Sequence, residues 1–139
     1  MDNNFQIEHI SALLIEDLNG DAKAITQALN YSKISKTMDM TRASRLKEGL
    51  KILAENKIDV VLLDLSLPDA KGIKGVVELN NTYPMIPIIV LSDQSDEKII
   101  VRALENGARK FLVKGECNGK VIKNAIYEVL SIKSVEEDA

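Results

Sequence analysis

Apolar residues fall in five short runs, each followed by a segment in which they recur every three or four positions. The first run, Ile10-Ser-Ala-Leu-Leu-Ile15, ends in Glu16-Asp17. Asn19-Gly20-Asp21 then supplies turn and helix-start chemistry, and Ala24, Ile25, Ala28 and Leu29 follow at helical spacing, which predicts a helix to about Tyr31. Residues 34–40 lie between two helical patterns and are read as a second strand. Ser44 is placed to cap a second helix, whose Leu46, Leu50, Ile52 and Leu53 form one apolar stripe ending near Asn56. Residues 58–63 are almost continuously apolar, as in a central parallel strand covered on both faces, and Asp64 closes them. The remaining pattern predicts helices over 70–79, 95–106 and 118–132 and strands over 85–91 and 110–113.

Strand and helix thus alternate five times. Such alternation implies right-handed crossovers and an α/β, doubly wound, five-stranded parallel sheet with five helices on its two faces. At 139 residues one domain is expected, over 9–132, between a polar lead-in (1–8) and an acidic tail (133–139). A net charge of -3, with Lys and Arg scattered through the helical segments, lacks the footprint of a nucleic-acid binder. The apolar runs are far below the roughly 18 residues of a membrane helix. Cys117 has no second cysteine to pair with, and no basic-then-apolar leader is seen, so a cytoplasmic location is the expectation.

The chemistry concentrates at strand ends. In an open doubly wound sheet ligands bind beyond the carboxyl ends of the strands, near the point where strand order reverses. Here the first strand ends in Glu16-Asp17, the third in Asp64, the fourth in Ser92 and the fifth in Lys114. Three carboxylates brought together repel, and either raise one another's pKa or recruit a cation. Mg²⁺ suits them: a hard ion, commonly held by one or two carboxylates and a substrate phosphate. A phosphoryl group would need that metal, a carboxylate nucleophile in line and a cationic side chain, and Lys114 and Ser92 could add ammonium and hydroxyl contacts. His9, ahead of the acidic edge, and Cys117 are read as residues without a role in this chemistry.

Taken in order, Leu14-Ile15-Glu16-Asp17, Val61-Leu62-Leu63-Asp64-Leu65-Ser66-Leu67-Pro68-Asp69, Val90-Leu91-Ser92 and Phe111-Leu112-Val113-Lys114 resemble the receiver domains of two-component response regulators. The resemblance spans about residues 10–132 and implies a flavodoxin-like sheet of order 2-1-3-4-5. It implies that Asp64 is the phosphoacceptor, that Glu16 and Asp17 hold Mg²⁺ directly or through water, and that the backbone carbonyl of Ser66 completes the metal shell. Ser92 would donate its hydroxyl to the phosphoryl group, Phe111 would be the aromatic that swings inward as Ser92 moves, and Lys114 would pair with the phosphate. The implied partners are a sensor histidine kinase or phosphotransfer protein and an unknown output protein or domain. The chain would catalyse only its own phosphorylation and dephosphorylation, with no direct contact to nucleic acid or membrane.

Two positions depart from the family pattern. Gly115 stands where a proline, often preceded by a cis peptide, usually follows the lysine, so either another force holds that geometry or the loop is built differently. Asp93 stands where a small residue generally follows the hydroxyl, which predicts slow labelling by small phosphodonors. The same residues bear on other functions. A phosphatase of the haloacid dehalogenase type needs a second Asp two places after the nucleophile, where this chain has Ser66. A carrier of flavin mononucleotide needs a hydroxyl- and glycine-rich loop after the first strand. A degenerate receiver, binding partners without phosphorylation, is the alternative that Asp93 and Gly115 keep open.

Overall fold

The computed structural model describes residues 9–31 and 37–130. Its elements are β1 (His9–Ile15), α1 (Asn19–Tyr31), β2 (Thr37–Ala43), α2 (Leu46–Glu55), β3 (Val60–Asp64), two short strands β4 (Ser66–Leu67) and β5 (Ala70–Lys71), α3 (Lys74–Thr82), β6 (Ile88–Ser92), α4 (Glu97–Glu105), β7 (Lys110–Val113) and α5 (Gly119–Val129). Five parallel strands form one sheet in the order β2-β1-β3-β6-β7, the expected 2-1-3-4-5 once the antiparallel β4–β5 pair is set aside.

The two-residue period of the strands builds two cores. Leu13, Ile15, Val61, Leu63, Ile88 and Val90 point to one face and meet Leu46 and Leu53 of α2, Val76 and Leu79 of α3 and Ala103 of α4. Ile10, Ala12, Leu14, Val60, Leu62, Ile89 and Leu91 point to the other and meet Ala22, Ile25 and Leu29 of α1 and Ile122, Ala125 and Ile126 of α5. β3 and β6 are buried along their whole length, which explains their unbroken apolar runs. α1 and α5 lie very close: a Cβ on Gly119 would come within 2.1 Å of the Ala28 carbonyl oxygen, so glycine is required there for the two helices to touch.

Several expected boundaries move. The second strand runs to Ala43, while the part expected over 34–36 lies outside the described residues, as do the lead-in, the tail and residues 131–132 of the last helix. Residues 70–71 are not helical. They pair with Ser66–Leu67 in a small hairpin, closed by Gly72 N–H donating to the Leu65 carbonyl at 2.8 Å with Gly72 at φ 68°, and α3 starts only at Lys74. Met85 is 86% exposed, and the fourth sheet strand begins at Ile88. The fourth helix starts at Glu97 because Asp96 caps it, accepting from the Lys98 N–H at 2.9 Å.

Ser44 does not cap α2. Its own N–H donates to Glu48 Oε1, and the first N–H groups of the helix go instead to Asp69, with Leu46 N to Oδ1 at 2.9 Å and Lys47 N to Oδ2 at 3.0 Å. A residue of the β4–β5 turn therefore caps a helix more than twenty residues earlier.

Candidate functional site

Strand register gathers the polar strand ends. Ile15 lies opposite Leu63, which sets Glu16 level with Asp64; Asp64 lies opposite Leu91, and Ser92 opposite Val113, so Ser92 follows one rung and Lys114 two rungs further along the same edge. In β3 and β6 the run stays apolar up to its last paired residue, Asp64 or Ser92, while Glu16 and Lys114 directly follow β1 and β7.

Glu16 is fully buried, Asp64 is 3% and Ser92 4% exposed. One oxygen each from Glu16, Asp17 and Asp64 lies within 4.8 Å of the others, close enough to share a single cation. Lys114 Nζ sits 2.6 Å from Glu16 Oε1, 3.1 Å from Asp64 Oδ1 and 3.0 Å from Asp21 Oδ2. The contact with Asp21 has hydrogen-bond geometry, whereas the shorter contact with Glu16 Oε1 is an ion pair outside it, and this buried oxygen has no other donor. Its other oxygen accepts the Leu18 N–H at 3.2 Å, and Asp64 Oδ2 accepts the Ser66 N–H at 3.2 Å.

These surroundings set the charges. Burial raises the Glu16 carboxyl, Lys114 pulls it back and the nearby Asp64 adds to the rise. Asp64 is likewise raised by burial, with Lys114 and the Ser66 N–H opposing. Burial also works against the Lys114 charge, but its contacts with Glu16, Asp21 and Asp64 outweigh it and hold the amine above the ordinary lysine value. Deprotonated carboxylates here carry an unmet electrostatic cost, and a hard divalent cation bound by oxygens fits that donor set, the orphaned Glu16 oxygen above all.

Ser92 Oγ accepts the Gln94 N–H at 3.1 Å, which leaves its hydroxyl proton to donate elsewhere. Ser92 and Gln94 line a groove of about 520 Å³ with Leu65, Ser66, Lys71 and Ile99, formed by the residues that follow Asp64 and Leu91. Asp93 is exposed beside it. Phe111 is half-buried against the α2–α3–α4 core and lies opposite Val90. After Lys114 the chain enters a short 3₁₀ turn (Lys114–Glu116), and all described peptide bonds are trans, so the loop is built differently from the pattern that a proline would set. His9 is exposed and pairs with Asp39 at 3.0 Å, and Cys117 is half-buried with its thiol pushed up by burial and by Glu116.

Three residues not singled out from the pattern belong to this neighbourhood. Asp21, read only as a helix starter, holds Lys114. Arg42 forks onto the Glu16 carbonyl with Nε at 3.0 Å and Nη2 at 2.8 Å, and onto Asn19 with Nη1 at 2.7 Å. Asp69 anchors the loop after β3 to α2. The four-residue step from Asp17 to Asp21, one helical turn beyond the acidic pair, was the available signal for the first.

Comparison with known proteins is consistent across sequence and structure. The family model described as response regulator receiver domain matches residues 12–126. The KDP operon transcriptional regulatory protein KdpE of Escherichia coli is 35% identical over 104 residues, covering 75% of this chain and 44% of its own. The glycerol metabolism activator of Pseudomonas putida is 28% identical over 107 residues, covering 77% of this chain and 46% of its own. The chain thus spans about half the length of these curated relatives. A response regulator receiver domain protein from Clostridium thermocellum superposes with a TM-score of 0.76 at 26% identity, covering 88% of this chain and 94% of that one. Among the described residues no helix is long and apolar enough to cross a membrane.

Proposed function

Because the chain belongs to the response regulator receiver domain family, we propose that Asp64 accepts a phosphoryl group from a histidine kinase or phosphotransfer protein and that this switches the binding of an output partner. The observation that carries the reading is the placement of Asp64: 3% exposed at the end of the central strand, sharing a cation-sized cluster with Glu16 and Asp17 and 3.1 Å from an ammonium.

Mg²⁺ would be held by Glu16, Asp17, Asp64 and the backbone carbonyl of Ser66, where its chemistry is to neutralise phosphoryl oxygens. The rest is work for the chain's own groups. An Asp64 oxygen attacks phosphorus as the bond from phosphorus to the donor's imidazole nitrogen breaks, and that nitrogen keeps the electron pair. Lys114 pairs with one phosphoryl oxygen, and Ser92 donates its hydroxyl to another. The phosphorylated side chain brings about -1.5 to -2 charge, by analogy with other phosphorylated residues. That is enough to bias a two-state element in which Ser92 moves toward Asp64 and Phe111 follows inward.

The test is to add Mg²⁺ and beryllofluoride, a phosphoryl mimic, and follow amide shifts in wild type and Asp64→Asn. Shifts centred on Asp64 and spreading to Ser92 and Phe111, absent in Asp64→Asn, are expected. A folded wild-type protein that gives no shifts would refute the reading and favour a receiver that binds partners without phosphorylation.

A further inference from the structure

We propose that Asp21 is a positioning residue that keeps Lys114 at the edge of the acidic cluster while a divalent cation occupies Glu16, Asp17 and Asp64. The inference rests on the phosphoacceptor reading above and concerns how the lysine is held within it.

Lys114 Nζ touches three carboxylates, and two of them, Glu16 and Asp64, belong to the cation cluster. A cation drawing on those two oxygens removes most of their charge from the lysine. Asp21 is outside the cluster, on the first turn of α1, 38% exposed at its side chain, and accepts a hydrogen bond from Nζ at 3.0 Å. It is therefore the partner that survives metal entry. The backbone does not do this work: Gly115 is exposed, nothing lies within 4 Å of where its Cβ would be, and glycine constrains the preceding residue little. With Asp21 in place the lysine has somewhere to rest when the cation arrives. Without it, the ammonium leans harder on Glu16 and Asp64 and competes with the cation for them.

The experiment is a double-mutant cycle read by Mg²⁺ titration of amide shifts, which needs neither phosphodonor nor output partner. Asp21→Asn is expected to weaken Mg²⁺ binding by about three- to tenfold, in the lower part of the range of coupling between groups in contact. In a Lys114→Met background the same change is expected to weaken it by less than about twofold. An equal loss in both backgrounds would mean that Asp21 acts only as one more negative charge near the site; that overturns the positioning role and leaves the phosphoacceptor reading standing. A wild type that does not respond to Mg²⁺ at all would overturn that reading and this inference together. Should Lys114→Met fail to fold, the side-chain ammonium signal of Lys114 decides: exchange that stays slow with saturating Mg²⁺ in wild type, and becomes fast in Asp21→Asn, supports the role, whereas fast exchange in both refutes it.

Discussion

Replacing Asp69 by alanine should loosen the loop that follows β3 without touching any residue of the acidic cluster. Its two oxygens accept the first N–H groups of α2, Leu46 at 2.9 Å and Lys47 at 3.0 Å, so the substitution orphans two helix-end donors at once. Loss of a single capping side chain costs about 0.5–2 kcal/mol, typically about 1. With both donors released and the site largely open to water, about 1–2 kcal/mol is expected, or about 3–8 °C in the midpoint of thermal unfolding for a chain of this size. The pH dependence has a definite sign. Partial burial opposes the Asp69 charge, but the Lys47 and Leu46 N–H groups favour it more and hold the carboxyl below its ordinary range. A carboxyl lowered on folding contributes fully above its unfolded value of about 3.9 and loses that contribution as pH falls through the folded value. The stability gap between wild type and Asp69→Ala should therefore be flat from neutral pH to about 5 and shrink below about 4. Circular dichroism melts across that range would check both statements. Equal melting temperatures at pH 7, or a gap that widens on acidification, would refute the cross-loop cap. The loop concerned runs from Leu65 to Gly72 and includes Ser66, so Mg²⁺ titration of the same variant should also read weaker binding.

Two further expectations come from the same geometry. Gly119→Ala drives a methyl into the Ala28 backbone and should cost about 1–3 kcal/mol, with amide shifts concentrated on α1 and α5; an unchanged melting temperature would show that the helices separate freely. Asp64→Asn should stabilise the metal-free protein by about 1 kcal/mol at neutral pH, since it removes a desolvated charge while Lys114 keeps Glu16 and Asp21. Because the Asp64 carboxyl is raised on folding, that gain should be full above the folded value, fade as pH falls through it and vanish below about 3.9. A variant less stable than wild type at pH 7 without metal would contradict this.

How much of this was legible in the sequence differs by element. Strands buried on both faces betray themselves, because every position from Val60 to Leu63 must be apolar and the first carboxylate marks where the sheet ends. That rule located Glu16 and Asp64, its polar analogue located Ser92 and Lys114 at the ends of the next two strands, and strand register did the rest. The start of α3 was not legible: Ala70 and Lys71 are ordinary helix formers, and what removes them from the helix is a hairpin whose closing residue, Gly72, sits at φ 68°. Met85 reads as apolar in any window, yet its exposure is decided by where the sheet edge stops. Ser44 has the right chemistry for a cap, but Asp69 from another loop offers both carboxylate oxygens to α2. Asp21 was visible only as a helix-start residue, because its partner lies 93 residues away.

The charge balance of the site links these pieces. Three carboxylates, Glu16, Asp21 and Asp64, stand around one ammonium, and a fourth, Asp17, lies against Glu16 and Asp64. Burying carboxylates costs free energy unless each is paired, and a single lysine cannot pair with all of them in good geometry, as the undirected contact at Glu16 Oε1 makes plain. An apolar replacement at Glu16 or Asp64 would satisfy the core better, so this arrangement makes sense as one whose deficit a ligand corrects. On the proposed reading, a divalent cation would supply positive charge on the Glu16–Asp17–Asp64 side, and an arriving phosphoryl group would bring oxygens for the lysine and the Ser92 hydroxyl. The strain is kept local by rigid surroundings: β3 and β6 are buried throughout, and Arg42 and Asp69 tie the two flanking loops to β2 and α2. On the proposed reading, charge arriving at the edge would be felt first by Ser92, whose hydroxyl lines the groove, and through the sheet by the half-buried Phe111 of β7.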